Sequence, residues 1–164
     1  MKAPAVQAWP AVAALFAVLI GCTPAAGDLV GRADRVHDGD TLTLNGVTVR
    51  LWGIDAPELE QQCTNALGRR YRCGIEAREK LRAIVGRQDL VCHERDRDRY
   101  GRTVASCEAK GQDVGRLMVQ AGHAVNYRQY SGGRYEPDQR RAREERAGIW
   151  AGTFTTPSDW RRER

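Results

Sequence analysis

Apolar and polar positions begin to alternate at Leu29, and the alternation sets the order of elements. Val30 to Val36 reads as a first strand. Thr41-Leu42-Thr43-Leu44 alternates strictly, Asn45-Gly46 marks a tight hairpin, and Val47 to Ile54 returns until Pro57 stops it. Leu59 to Tyr71 is polar and patternless, which predicts a loop. From Ile75 to Val85 the period changes: Ala77, Leu81, Ile84 and Val85 share one helical face. Asp89 to Arg95 and Thr103 to Glu108 form a second hairpin around Asp98-Arg99-Tyr100-Gly101. Asp113 is placed to cap a helix through Val114, Leu117, Met118 and Ala121, which Gly122 would end. A charged third helix runs from Pro137 to Ala147, ended by Gly148. Phe154 and Trp160 are candidate packing anchors in the tail, residues 151–164. Five short strands with about three helices added predict an α+β fold, a small closed five-stranded β-barrel of the OB type.

The first residues follow another pattern. Lys2 is the only charged side chain before Asp28, and Ala11 to Ile20 is an unbroken apolar run. This reads as a signal peptide over residues 1–21. Leu19-Ile20-Gly21-Cys22 resembles a bacterial lipobox, which would make Cys22 the lipidated N-terminus; a cut after Ala26 or Gly27 would release a free product instead. Of the five cysteines, Cys63, Cys73, Cys92 and Cys107 then remain, an even number suited to disulfides in an oxidising compartment. Cys92 and Cys107 flank the Arg99-Tyr100-Gly101 turn almost symmetrically, which favours pairing across a hairpin and leaves Cys63 for Cys73. No Cys-x-x-Cys pair with zinc spacing occurs. The export reading implies a periplasmic or extracellular protein, membrane-anchored if Cys22 is lipidated.

Charge adds a partner class. The chain of 164 residues carries a net charge of +5, a balance that favours polyanions. Asp38-Gly39-Asp40-Thr41 enters one strand of the first hairpin, and Asp55-Ala56-Pro57-Glu58 leaves the other, so the hairpin could bring Asp40 and Asp55 to one ion. Hard oxygen donors without thiolates favour calcium or magnesium. Arg50 and Arg102 offer the fixed charge that a phosphoryl transition state needs. His37, His93 and His123 fall outside this pattern and read as structural or solvated. Arg140, Arg141, Arg143 and Arg146 read as a solvated helix face, with nucleic-acid steering as the alternative.

Asp-Gly-Asp-Thr, Arg50-Leu51-x-Gly-Ile-Asp55-x-Pro-Glu58, Gly74-x-Glu76-Ala77, Asp98-Arg99-Tyr100-Gly101-Arg102 and Gly148-Ile149-Trp150 occur in this order. The combination resembles the staphylococcal-nuclease (thermonuclease) family over residues 29–150. The resemblance implies one calcium ion held by Asp40, Asp55 and the backbone carbonyl of Ala56, where the family commonly has Thr. It implies Glu58 as general base, Arg50 and Arg102 as phosphate and transition-state ligands, and Arg99 and Tyr100 near a terminal phosphate. Tyr127 and Tyr130 lie where family members stack a base. The implied activity is hydrolysis of DNA or RNA with little sequence preference, leaving 3′-phosphates; a monomer is the default state. A binding module that has lost catalysis, or an envelope lipoprotein whose acidic pairs bind calcium, are the rival classes. The intact Arg50, Glu58 and Arg102 argue against the first of these.

Overall fold

The structure, a computed structural model, describes residues 28–164. The leader and Cys22 lie outside the described residues. In chain order the strands are β1 (Asp28–Gly31), β2 (Ala33–Val36), β3 (Thr41–Leu44), β4 (Val47–Leu51), β5 (Ile54–Asp55), β6 (Cys63–Thr64), β7 (Arg70–Tyr71), β8 (Leu90–Arg97), β9 (Thr103–Ala109), β10 (Gln112–Asp113) and β11 (Val125–Asn126). The helices are α1 (Cys73–Val85), α2 (Val114–Gln120), α3 (Arg128–Ser131), α4 (Glu136–Glu144) and α5 (Pro157–Arg162), with a 3₁₀ turn at Gly148–Ala151.

The main sheet runs β1-β8-β9-β4-β3-β2, with β10 added to β9. Its two end strands are consecutive in the chain, separated only by Arg32. The single strand expected over Val30 to Val36 is therefore two, because its first half pairs with β8 and its second with β3. The sheet curls so that one stretch of chain serves both ends, the OB-type architecture that the alternation predicts. All pairings are antiparallel except β4 with β9, which places Arg50 beside Val104.

The curled sheet closes over one large core. Leu42, Leu44, Val49 and Leu51 enter it from the first hairpin, Leu90, Cys92, Ala105 and Cys107 from the second. Helix α1 contributes Ala77, Leu81 and Val85 at four-residue spacing, with Ile84 half-buried beside them. Helix α2 adds Val114, Met118 and Val119, and Asp113 caps it by accepting the Arg116 N–H at 3.0 Å. A second, smaller core holds Cys63, Cys73 and Ile149 with Tyr71, Trp150 and Phe154 against them. Both disulfides form in the favoured pairing, Cys63–Cys73 and Cys92–Cys107. Cys92 and Cys107 are directly opposite in the β8–β9 register.

Several boundaries depart from expectation. The loop over Leu59 to Tyr71 contains the short β6–β7 ladder. The charged helix ends at Glu144, before the expected Ala147, because Arg146 takes a left-handed φ of 53°. Among the described residues the helices number five rather than about three; α3 and α5 have four and six residues, too few for periodicity to reveal.

Candidate active site

The first hairpin builds the base of the site. Asp40 sits just before β3, Arg50 near the end of β4, and Asp55 ends β5. Thr41 lies opposite Arg50 in the register, so the hairpin fold itself delivers the arginine to the aspartate. Arg50 Nη1 donates to Asp40 Oδ1 at 2.6 Å, and Nη2 donates to Asp55 Oδ1 at 3.1 Å. The Asp40 carboxylate also accepts the Thr41 hydroxyl at 2.9 Å and the Ala56 N–H at 3.1 Å. Asp55 is 1% exposed and Asp40 3%. Such burial is tolerated only with compensating partners, and these are present.

Two glycines permit this closeness. A Cβ at Gly39 would stand 2.6 Å from the Ala56 Cβ and 2.8 Å from that of Ala77, so the Asp38–Asp40 turn packs on β5's exit and on α1 only without a side chain there. A Cβ at Gly74 would fall 1.7 Å from the Glu58 carbonyl oxygen, so α1 begins directly against the Glu58 backbone. Gln61, fully buried, holds the same loop. Its Oε1 accepts the Glu58 N–H at 3.2 Å, and its N–H donates to the Glu58 carbonyl at 2.8 Å.

These residues open onto a cleft of about 620 Å³. Asp40, Arg50, Ala56 and Glu58 line one part of it, and Arg99, Tyr100 and Arg102 from the β8–β9 turn line another. Arg102 Nε donates to Asp98 Oδ2 at 2.6 Å, and the Arg99 guanidinium lies 4.9 Å from the Tyr100 ring centre. Tyr127 and Tyr130 also line the cleft, their rings 4.9 Å apart. The pairing of β11 with β5 brings them there, continued by the Tyr127 N–H donating to the Gly53 carbonyl at 2.9 Å.

The electrostatics reflect crowded carboxylates. Burial, then the Asp40 charge and more weakly that of Glu58, push the Asp38 carboxyl up to about 7. Burial also raises Asp55, and hydrogen bonds from Arg161 offset this only in part. Burial works against the Arg50 charge, but Asp40 and Asp55 outweigh it and hold the guanidinium above its ordinary pKa. Slight burial would raise Asp98, yet the Arg102 side-chain and backbone hydrogen bonds hold it below the usual carboxylate range.

The residues present suit a hard divalent cation. Among the described residues no group of three His, Cys, Asp or Glu side chains stands ready to hold an ion by side chains alone. Asp40, Asp55 and the Ala56 carbonyl offer an all-oxygen donor set that water would complete, as calcium accepts and zinc does not favour.

The family model described as Staphylococcal nuclease homologue matches residues 48–152. The chain belongs to this family. Among its relatives, succinoglycan biosynthesis protein ExoI of Rhizobium meliloti is 40% identical over 128 residues, which cover 77% of this chain and 66% of that protein. Protein ParB of Escherichia coli is 37% identical over 169 residues, 92% of this chain and 89% of ParB. Micrococcal nuclease of Shigella flexneri is 35% identical over 175 residues, 96% and 94% of the two chains.

The structure thus gathers every expected site residue at one cleft or immediately behind it, Asp55 being the one behind. The bystanders stay apart. His37 Nε2 pairs with the Thr43 hydroxyl at 2.8 Å, His93 Nδ1 with Asp28 at 2.8 Å, and Arg143 stacks 4.4 Å from the Trp150 ring centre. One further side chain, which no motif in the sequence singles out, joins the site. Arg161, from α5, donates to both Asp55 and Glu58 at 2.8–3.0 Å. Thr156-Pro157-Ser158-Asp159 carried a helix-start signal, a capping hydroxyl followed by proline at the first turn, but nothing in it says where the helix docks.

Proposed function

We propose that this chain is a calcium-dependent endonuclease that hydrolyses DNA and RNA with little sequence preference, leaves 3′-phosphates, and acts outside the cytoplasm. The observation that carries the reading is Arg50 bridging Asp40 and Asp55 beside a cleft that Glu58 and Arg102 also line. Family membership and relatives named micrococcal nuclease or endonuclease support the enzyme class.

Asp40, Asp55 and the Ala56 carbonyl would hold the calcium, which when bound supplies charge that polarises the phosphate. Glu58, at the cleft surface, takes the proton of the attacking water. Arg50 and Arg102 bind the non-bridging oxygens and stabilise the charge they gain in the transition state. Arg99 and Tyr100 meet a terminal phosphate, while Tyr127 and Tyr130 stack a base without reading its identity. Two disulfides support an oxidising compartment, periplasmic or extracellular, reached through the leader. Anchoring through a lipidated Cys22 and a monomeric state belong to the same reading.

The test is cleavage of single-stranded DNA and of RNA by the full chain, with calcium and with chelator, beside Glu58→Ala and Arg50→Ala. The expected result is calcium-dependent cleavage that collapses in both variants. The product ends should resist polymerase extension until phosphatase treatment. Folded, calcium-loaded wild type that leaves both polymers intact would overturn the reading. Binding that persists in chelator without cleavage would point to a nucleic-acid-binding module.

A further inference from the structure

The last helix, α5, is attached to the site loop at its start. Gln61 Nε2 donates to the Thr155 carbonyl at 2.7 Å, and Pro157 is buried. The Thr156 hydroxyl accepts the Asp159 N–H at 3.3 Å and donates to the Asp159 carboxylate at 2.5 Å, closing the first turn. Beyond that turn the helix reaches back over the site. Arg161 Nη1 donates to Asp55 Oδ1 at 2.9 Å and to Glu58 Oε1 at 2.8 Å, while Nη2 donates to Asp55 Oδ2 at 3.0 Å.

Both Asp55 oxygens are therefore engaged by one guanidinium fork, and Oδ1 is shared with Arg50. Asp55 does not line the cleft, whereas Arg161 does. A cation approaching Asp55 from the cleft meets Arg161 first and must compete for the same lone pairs. The two arginines differ in how firmly they are held. Arg50 stands in the main sheet and its side chain is 18% exposed; Arg161 stands on a six-residue helix and is 36% exposed. A helix of that length has little stability of its own, so the Arg161 arm is the one free to swing away.

Resting on the calcium reading of the site, we infer that Arg161 is an internal competitor of the divalent cation, and that α5 is an autoinhibitory latch which the cation must displace. The same displacement breaks the Arg161 hydrogen bond to Glu58 Oε1. Metal loading and release of the Glu58 side chain thus become one event. The latch raises the cation concentration at which the enzyme switches on, in proportion to how strongly the latched state is favoured.

The test measures calcium affinity by calorimetry on the full chain, for wild type, Arg161→Gln and Arg161→Lys. Hydrogen exchange of residues 157–162 is followed with and without calcium. Removing a cation in direct contact with a carboxylate changes its affinity for competing charge by ~10-fold or more. Arg161→Gln is accordingly expected to bind calcium about that much more tightly, and Arg161→Lys, which keeps the charge but loses the fork, to fall between. In wild type calcium should accelerate exchange across α5; in Arg161→Gln that exchange should be fast already. Calcium affinity that is unchanged or weaker in a folded Arg161→Gln overturns the latch. Unchanged affinity with a lowered kcat would make Arg161 a third phosphate ligand and overturns it equally. A wild type that binds no calcium at all overturns the calcium reading and the latch together, whereas the other outcomes leave the calcium reading standing.

Discussion

The two sides of the cleft are built on different foundations. Asp40, Arg50 and Asp55 belong to strands or strand ends; both carboxylates are nearly sealed from water and accept hydrogen bonds from the half-buried Arg50. Glu58, by contrast, sits on a loop whose form depends on Gln61, on the start of α1 and on the small core around Cys63–Cys73. On the other side of the cleft, Arg99 and Arg102 stand on an exposed hairpin turn. On the proposed reading, the groups that would keep a fixed spacing around an ion stand on the least deformable framework. The group that would exchange a proton with water stands where a few contacts can move it.

Replacing each side's arginine should separate these settings most sharply. Arg50→Ala leaves two buried carboxylates short of a partner, and breaking such a pair typically costs on the order of 3 kcal/mol. Arg102→Ala breaks a pair whose members are 30% and 19% exposed, for which stability losses of about 1 kcal/mol or less are usual. Both variants are expected to lose cleavage by ~10²-fold or more, since on the proposed reading each removes a transition-state donor. Thermal melts beside rate measurements check this: equal losses of stability would erase the distinction between sheet and hairpin turn.

The disulfides give a second, smaller contrast. Their separations of 10 and 15 residues predict similar entropic contributions of about 3 kcal/mol each. Their functional weight should differ. Cys92→Ser with Cys107→Ser breaks a link between paired strands in the main core, not in the small core beside the Glu58 loop, so it should lower the melting temperature and leave kcat near wild type. Cys63→Ser with Cys73→Ser loosens the small core beside that loop, so it should lower kcat as well. Activity assayed well below each variant's melting temperature distinguishes the two.

The smallest expected effect lies outside the cleft. His123 Nδ1 is buried without a hydrogen-bond partner, and burial, aided by the Lys80 charge, holds this histidine below its ordinary 6.5. The unfolded chain therefore takes up the proton first as pH falls, so the penalty is absent above about 6.5 and grows below it. His123→Gln should flatten the fall of stability below that pH without altering cleavage, as denaturant melts across pH would show.

How much of this was legible in the residues depended on distance along the chain. The first hairpin was read from Asn45-Gly46, whose φ values of 49° and 77° suit the tight turn, and its register then delivered Arg50 to Asp40. Cys92 opposite Cys107 followed from symmetry about one turn. The parallel β4–β9 pair was hidden, since alternation tells which face a strand buries and not which neighbour it takes. The split of the first strand at Arg32 was hidden for the same reason. Arg161 was the furthest from view. It lies 106 residues from Asp55, on a charged six-residue helix whose placement is decided by a buried proline and one glutamine contact.

The Cys63–Cys73 bridge also bears on when the enzyme becomes dangerous to its maker. A cell that synthesises an unselective nuclease puts its own genome at risk until the product has left. Thiols stay reduced in the compartment where chains are translated. On the proposed export route, the newborn chain would carry its barrel and its acidic pair while the Glu58 loop still lacked a covalent tether. Full potency would then arrive only after oxidation, on the far side of the membrane, so that synthesis and toxicity are separated in both time and place.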